Sequence, residues 1–423
     1  MVISLELQSV NLFTQVNRIT SDQWFERAGK VIPGGIYGHV APVAGLPRSF
    51  PHYCEKANGC RFIDVDGNEW IDFMCGFGAI LHGYLNPEIE NAVNLQRSKG
   101  SVFNQPSLLM VELAERMVEA IDFADWAVFA KNGSDLTTWA IRVAREKTGR
   151  EFVIKARGAY HGVDAWCDPG LGGRIISDRE KILEFHWNDF DELSDLVKKK
   201  TNQIAALILT PYHHAAFAPS EMPLSGFWSE TEALCKKEGI ALILDDVRTG
   251  GRLHDGGSHR YFDFTPDLAV YSKALGNGYA ISACLASSSF REAAMEVFLT
   301  GSCWNDAFAM AAANKSFEIS QTHNVADQVL GIGSYFSSEL EKLCAARGIP
   351  LKMTGPASMP YPFISGDESL FKIQKLCQYC ASEGLYFHPH HNWFFGSMHT
   401  EVDLIDALKR AELALDKLGT DET

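Results

Sequence analysis

Between Trp126 and Ala286 the chain carries five short apolar runs without polar alternation: Trp126 to Phe129, Phe152 to Lys155, Ala205 to Leu209, Ala241 to Leu244 and Leu268 to Val270. Helical-looking segments separate them. A strand apolar on both sides must be covered on both faces, so this βα alternation predicts a largely parallel sheet with helices on each side. Ligands of such sheets bind beyond the carboxyl ends of the strands, which directs attention to the residues that follow each run. Asp245 and Asp246 follow the fourth run, and Lys273 follows the fifth, just before a turn at Gly276, Asn277 and Gly278. A lysine and a carboxylate aimed from two rigid strand ends suit a cofactor with an electrophilic carbon at one end and a basic nitrogen at the other. Pyridoxal phosphate fits that description. Taken singly, a lysine after a strand is usually a solvated end, and Asp-Asp before Thr-Gly is usually turn chemistry.

Two further stretches belong with the first. Trp126 to Asp135 is a strand entering a polar glycine turn, and Leu136 to Lys147 then reads as a helix. Backbone N–H groups at such a helix start, with the Ser134 hydroxyl beside them, are what a phosphate needs, although Asn-Gly-Ser-Asp also caps helices with no ligand. Gly158 to Gly162 places Tyr160 and His161 in a glycine-flanked loop, where Tyr160 either stacks on a flat ring or simply packs.

The 423 residues exceed one comfortable core, so two lobes are expected. The expected division is 1–75 with 309–423 as a smaller α/β domain around a large domain of 76–308. Ser21 to Val31 reads as a helix stopped by Ile32 to Gly35, and Arg61 to Phe73 as a hairpin around Asp66, Gly67 and Asn68. A long helix is expected after Ala307. The net charge of -15 argues against nucleic acid or an anionic membrane as partner. With no basic segment followed by an apolar core at the start and no bilayer-length apolar run, a cytoplasmic protein is expected. Ten scattered cysteines lack disulfide density, and Cys377 with Cys380 reads as a pair of buried thiols on a helix. No His, Cys or carboxylate grouping has metal spacing, so no metal is expected.

In order, the chain shows Ile32 to Gly35, Asp64 to Asn68, Asn132 to Asp135, Tyr160 to Gly162, Asp245 to Gly250 and Ser272 to Gly278. These six motifs resemble the class III, fold type I pyridoxal phosphate aminotransferases, on the branch that includes glutamate-1-semialdehyde aminomutase. The resemblance implies a Schiff base at Lys273, which once released would move the proton between substrate and cofactor carbons. It implies that Asp245 pairs with the pyridine nitrogen, that Val247 and Tyr160 cover the two ring faces, and that Gly133 and Ser134 hold the phosphate, with His161 also at the cofactor. Gly301 and Ser302 stand where the family reaches the phosphate of the other subunit, implying a homodimer.

The departures concern the substrate. Ala41 aligns with the aminomutase arginine that binds the substrate carboxylate, His391 with a glutamate near its C-terminus, Thr210 with the glutamate of its Glu-Pro pair, and Asp246 with the second acid of its Asp-Glu. The gating loop after Tyr-His-Gly is short, passing from Cys167 to Gly173 straight into a strand. The expected substrate surface is therefore His213, His214, Phe217, His391 and Trp393, suited to a keto-sugar or cyclitol, though these residues could equally pack against a neighbouring subunit. Arg48 and Arg248 are candidate clamps for a carboxylate-bearing donor such as glutamate, and Arg252 reads as structural. An aminotransferase with an aldehyde or ketone acceptor is the leading reading. An intramolecular aminomutase is the second, and an inactive binding relative the third.

Overall fold

The computed structural model describes residues 17–38, 49–170, 172–214 and 217–420. An opening helix spans Ile19–Gly29. Strands β1 (Cys54–Asn58), β2 (Arg61–Asp64) and β3 (Glu69–Asp72) then form an antiparallel meander. The β2–β3 turn is the expected hairpin: Asp64 Oδ1 accepts from the backbone N–H groups of Asp66 and Asn68, so a short acid closes the turn locally.

The central sheet has seven strands: β4 (Trp126–Ala130), β5 (Phe152–Ala156), β6 (Ile182–Phe185), β7 (Ile204–Leu209), β8 (Ala241–Asp245), β9 (Leu268–Tyr271) and β10 (Ser282–Ala286). Their order is β4-β10-β9-β8-β7-β5-β6. All pairings from β9 to β6 are parallel, while β10 runs antiparallel between β9 and β4. The fold is thus α/β with a mostly parallel sheet, and β6 and β10 are the strands not among the five apolar runs. Because β10 reverses twice over, β4 points the same way as β5, β7, β8 and β9, and all five carboxyl ends open on one side. Every residue of β7, β8, β9 and β10 is buried, with separate apolar clusters on the two sheet faces.

After the sheet the expected single long helix is two, Ala307–His323 and Val325–Ala345. Asn324 separates them at φ 49°, a left-handed geometry that asparagine tolerates better than most residues. Strands β11 (Leu351–Thr354) and β12 (Tyr361–Ile364) pair with each other. The helix Phe371–Ser382 follows, then β13 (Leu385–Tyr386), which adds to β3 in parallel, and finally the helix Glu401–Thr420. Residues from both ends of the chain therefore share one sheet and one core, built on Phe62, Trp70, Phe73, Phe387, Trp393 and Phe395. All ten cysteines are unpaired, and Cys377 and Cys380 are buried on their helix. Among the described residues no helix is long and apolar enough to cross a membrane, and no side-chain cluster could hold a metal ion.

The stretch after Cys167 departs from expectation. It does not enter a strand directly: a short 3-10 turn at Ile176–Asp178 comes first, and β6 begins only at Ile182.

Candidate active site

The carboxyl ends of β4, β5, β7, β8 and β9 converge on one cavity of about 490 Å³. That is within the range of sites for a cofactor with a small substrate. Lys273, Asp245, Gly133, Ser134, Tyr160, His161 and Val247 all line it, so seven residues scattered over 141 positions of sequence share one wall.

Asp245 ends β8, and the alternation of a strand sends it and Asp246 to opposite sides. Asp245 Oδ2 lies 2.7 Å from His161 Nδ1, and Oδ1 accepts from the Val247 N–H at 3.2 Å. Asp246 points into the protein instead. Its carboxylate accepts from the Thr249 hydroxyl at 2.5 Å and from the Ser258 hydroxyl and N–H at 2.5 and 2.9 Å. Burial pushes its pKa up, while these bonds oppose the change. One carboxylate therefore serves the cavity, and its neighbour pins two turns.

Lys273 lies two residues past β9 at φ 50°, which costs a non-glycine residue on the order of 1 kcal/mol. The surroundings hold it there. Ser272 donates to the Ile281 carbonyl at 2.8 Å. Asn277 accepts from the Leu81 and His82 N–H groups at 2.9 and 2.8 Å and donates to the Gly83 carbonyl at 2.9 Å. Burial, then the positive charge of Arg248, lower the Lys273 amine to about 7, with Asp245 pulling the other way. A lysine in this state is a nucleophile and a base near neutral pH.

The helix Gly133–Thr148 begins at the cavity wall. Asp135 accepts from the Asn132 N–H at 2.8 Å, so the cap is closed by its own side chain and not by Ser134. The Ser134 hydroxyl takes the Val163 N–H at 3.2 Å. A Cβ added at Gly133 would stand 2.8 Å from Val247 Cγ2, and one at Gly162, where φ is 134°, would strike Ser134. Side-chain-free backbone is thus kept where a phosphate must approach closely. A lysine of lowered pKa, an anchored carboxylate and this backbone cradle together fit pyridoxal phosphate. The buried Nε2 of His161 has no hydrogen-bond partner among the described residues, and its ring stacks on Trp166 with centroids 6.1 Å apart.

The candidate substrate residues separate. Trp393, expected at the substrate surface, is fully buried. It stacks on Phe387 at 4.0 Å, donates to the His388 carbonyl at 2.9 Å, and belongs to the core shared by the chain ends. His213 is buried, stacks on Trp187 and pairs through its backbone with Glu221, outside the cavity lining. His391 is likewise absent from the lining: it meets Phe77 edge-on, and Nδ1 is 3.0 Å from the Asn392 carbonyl. Gly301 borders a different cleft with Thr300 and Trp304, and neither it nor Ser302 lines the cavity of its own chain. Arg48 and Ala41 lie outside the described residues. Arg252 is structural as expected: fully buried, it donates to the carbonyls of Phe395, Gly78 and Ile80 at 2.6, 3.1 and 3.0 Å.

Arg248, Thr210 and His214 do line the cavity. Arg248 and Lys273 are the two cations among the described residues that line it, and Arg248 donates to the neutral amide oxygen of Asn392 at 2.8 Å. The Thr210 hydroxyl is spent on the Tyr212 carbonyl. Asn132, Val163 and Asp164 also contribute to the wall, and only their adjacency to the glycine turns would have marked them in the sequence.

The class-III aminotransferase family profile matches residues 46–167 and 178–392. The aminopentol aminotransferase of Sphingopyxis macrogoltabida is 38% identical over 389 residues, spanning 92% of each chain. The glutamate-1-semialdehyde 2,1-aminomutase of Desulfatibacillum aliphaticivorans is 28% identical over 427 residues, spanning 94% of this chain and 99% of the other. Among solved structures, the Sphingopyxis sp. MTA144 FumI protein in its PLP internal aldimine form superposes with a TM-score of 0.93 at 37% identity. It covers 95% of this chain and 97% of its own. The chain is therefore a pyridoxal phosphate-dependent enzyme that belongs to the class III aminotransferases.

Proposed function

We propose that this aminotransferase moves an amino group between a carboxylate-bearing amino acid, glutamate first among them, and an aldehyde or ketone whose far end is neutral, a keto-sugar or cyclitol being within the class. The observation that carries the reading is the cation count of the cavity. Apart from Lys273, Arg248 is the one cation among the described residues that line it, and its hydrogen bond goes to a neutral amide, which leaves the guanidinium charge uncompensated by that contact. Arginine receives carboxylates in a two-point, charge-assisted geometry, so one clamp serves the amino acid and its oxo acid. The relative named an aminopentol aminotransferase supports an amine product that is not an amino acid.

Pyridoxal phosphate, when bound, supplies the electrophilic carbon and an electron sink. In this reading Gly133, Ser134 and the adjacent helix start bind its phosphate, and Tyr160 and Val247 keep its ring faces dry. Asp245, fixed by His161 and the Val247 N–H, is the carboxylate that would pair with the protonated ring nitrogen. Lys273 holds the cofactor at rest. Its free amine would be the base that moves the proton at the amine-bearing carbon.

We propose further that the enzyme is a cytoplasmic homodimer, with Ser302 of one subunit completing the phosphate site of the other. Its absence from its own cavity favours that geometry. Segments 1–75 and 309–423 then form the smaller domain over the large domain of 76–308.

Arg248→Met is the test. The expected result is a rise in KM for the oxo acid of at least tenfold, with a far smaller change for the neutral partner. An equal loss for both partners would overturn the assignment of the clamp.

A further inference from the structure

His214 follows β7 through the turn at Thr210 to Tyr212 and lines the same cavity as Lys273 and Arg248. It is 7% exposed, and neither ring nitrogen has a hydrogen-bond partner among the described residues. The ring is held by an edge-tilted contact with Tyr212, centroids 5.3 Å apart. Buried donors and acceptors in native proteins are met by protein, water or ligand, and a polar ring on a substrate wall with no partner among the described residues is placed to meet a ligand.

The charged groups around it decide which ligand. Arg248 is cationic, Lys273 and His213 are close by, and the Asp245 carboxylate is engaged by His161. Burial, then Arg248 and His213, hold the His214 ring well below the usual histidine range, outweighing a contact with its own main chain. The ring is neutral at physiological pH, with one nitrogen giving a hydrogen bond and the other accepting. A carboxylate only accepts and an ammonium only donates. A hydroxyl does both, and so satisfies whichever nitrogen faces the cavity.

We infer that His214 is a specificity residue that reads a hydroxyl on the neutral amine or carbonyl partner, making hydroxylated amines and hydroxyketones the preferred substrate class. The inference rests on the reading above, in which the second partner carries no carboxylate.

The test uses the holoenzyme and a matched pair of amines whose amine carbon bears no hydrogen, so that neither can turn over. One is 2-amino-2-methylpropan-1-ol, and the other has a methyl in place of the hydroxyl. Calorimetry gives both Kd values. The hydroxylated amine is expected to bind the wild type roughly tenfold more tightly, the worth of one well-made hydrogen bond in a dry site. His214→Phe, which keeps a flat ring of similar size, should bring the ratio close to one. His214→Asn, which restores a donor and an acceptor, should recover part of the preference, as a merely structural role would not. Equal Kd values for the wild type, or an undiminished preference in His214→Phe, would overturn the assignment. The wider reading fails separately. If the preference is present and lost in His214→Phe, yet no amino acid releases its oxo acid, His214 keeps its role and the proposed reaction does not.

Discussion

The Lys273 amine offers a quantitative test because Arg248 and Asp245 act on it in opposite senses. Burial and Arg248 bring it to about 7 from an ordinary 10.5, against the pull of Asp245. The rate at which cofactor-free enzyme captures pyridoxal phosphate follows the neutral fraction of this amine. For an ordinary lysine that fraction grows about a hundredfold between about pH 6 and about pH 8 and keeps rising. For an amine at about 7 it grows only about tenfold over the same interval and is nearly flat beyond. Stopped-flow growth of the visible band reports the rate, with Lys273→Ala as blank and pyridoxal run in parallel to remove the titration of the phosphate itself. Arg248→Met should move the inflection upward and Asp245→Asn downward. A hundredfold rise with no plateau by about pH 8 would refute the account of the pocket. The linkage has a definite sign: the unfolded chain holds this proton between about 7 and 10.5 and the folded chain does not. The Lys273 contribution therefore makes the cofactor-free protein more stable as pH rises through that window, and its full penalty is felt below about 7.

Other expectations follow from the packing. Gly133→Ala sets a methyl 2.8 Å from Val247 Cγ2, so the pyridoxal phosphate Kd, read by dialysis and absorbance, should rise about tenfold or more. Arg252→Met leaves the buried carbonyls of Phe395, Gly78 and Ile80 without their donor, and urea unfolding should report a loss of about 2–4 kcal/mol. Trp393→Ala should cost about 3–5 kcal/mol by the same measurement while leaving the ranking of substrates unchanged, as befits a core residue.

The parts of this site legible in the sequence are those set by rigid elements. Asp245 and Lys273 stand at the ends of apolar strands, and Gly133 and Gly162 are glycines because a Cβ would collide with Val247 or Ser134. The strand ends have a local cause that local sequence reveals, and the glycines show in sequence as turn residues even though their tight contacts are tertiary. The antiparallel β10 escaped because its sequence, Ser-Ala-Cys-Leu-Ala, has no β-branched or aromatic residue to mark a strand. Trp393 and His213 were misplaced for a different reason: an aromatic residue after a strand suits a wall or a core equally, and only tertiary contacts with Phe387 and Trp187 decide. Arg248 and His214, both expected near the substrate, do line the cavity. Which of the neighbours faced the cavity depended on the turns beyond β8 and β7, whose geometry Asp246 and Thr210 fix through bonds to Ser258, Thr249 and Tyr212.

The most direct measurement is a single turnover of the holoenzyme with L-glutamate in the absence of any acceptor, followed by the visible spectrum and by assay of 2-oxoglutarate. Transfer to the cofactor requires one equivalent of 2-oxoglutarate per active site with matching loss of the visible band, and restoration of the band on adding a carbonyl acceptor. A spectrum left untouched by glutamate and by other carboxylate-bearing amino acids, in an enzyme that nevertheless rearranges an amino-aldehyde alone, would contradict the donor-to-acceptor reaction and establish the aminomutase in its place.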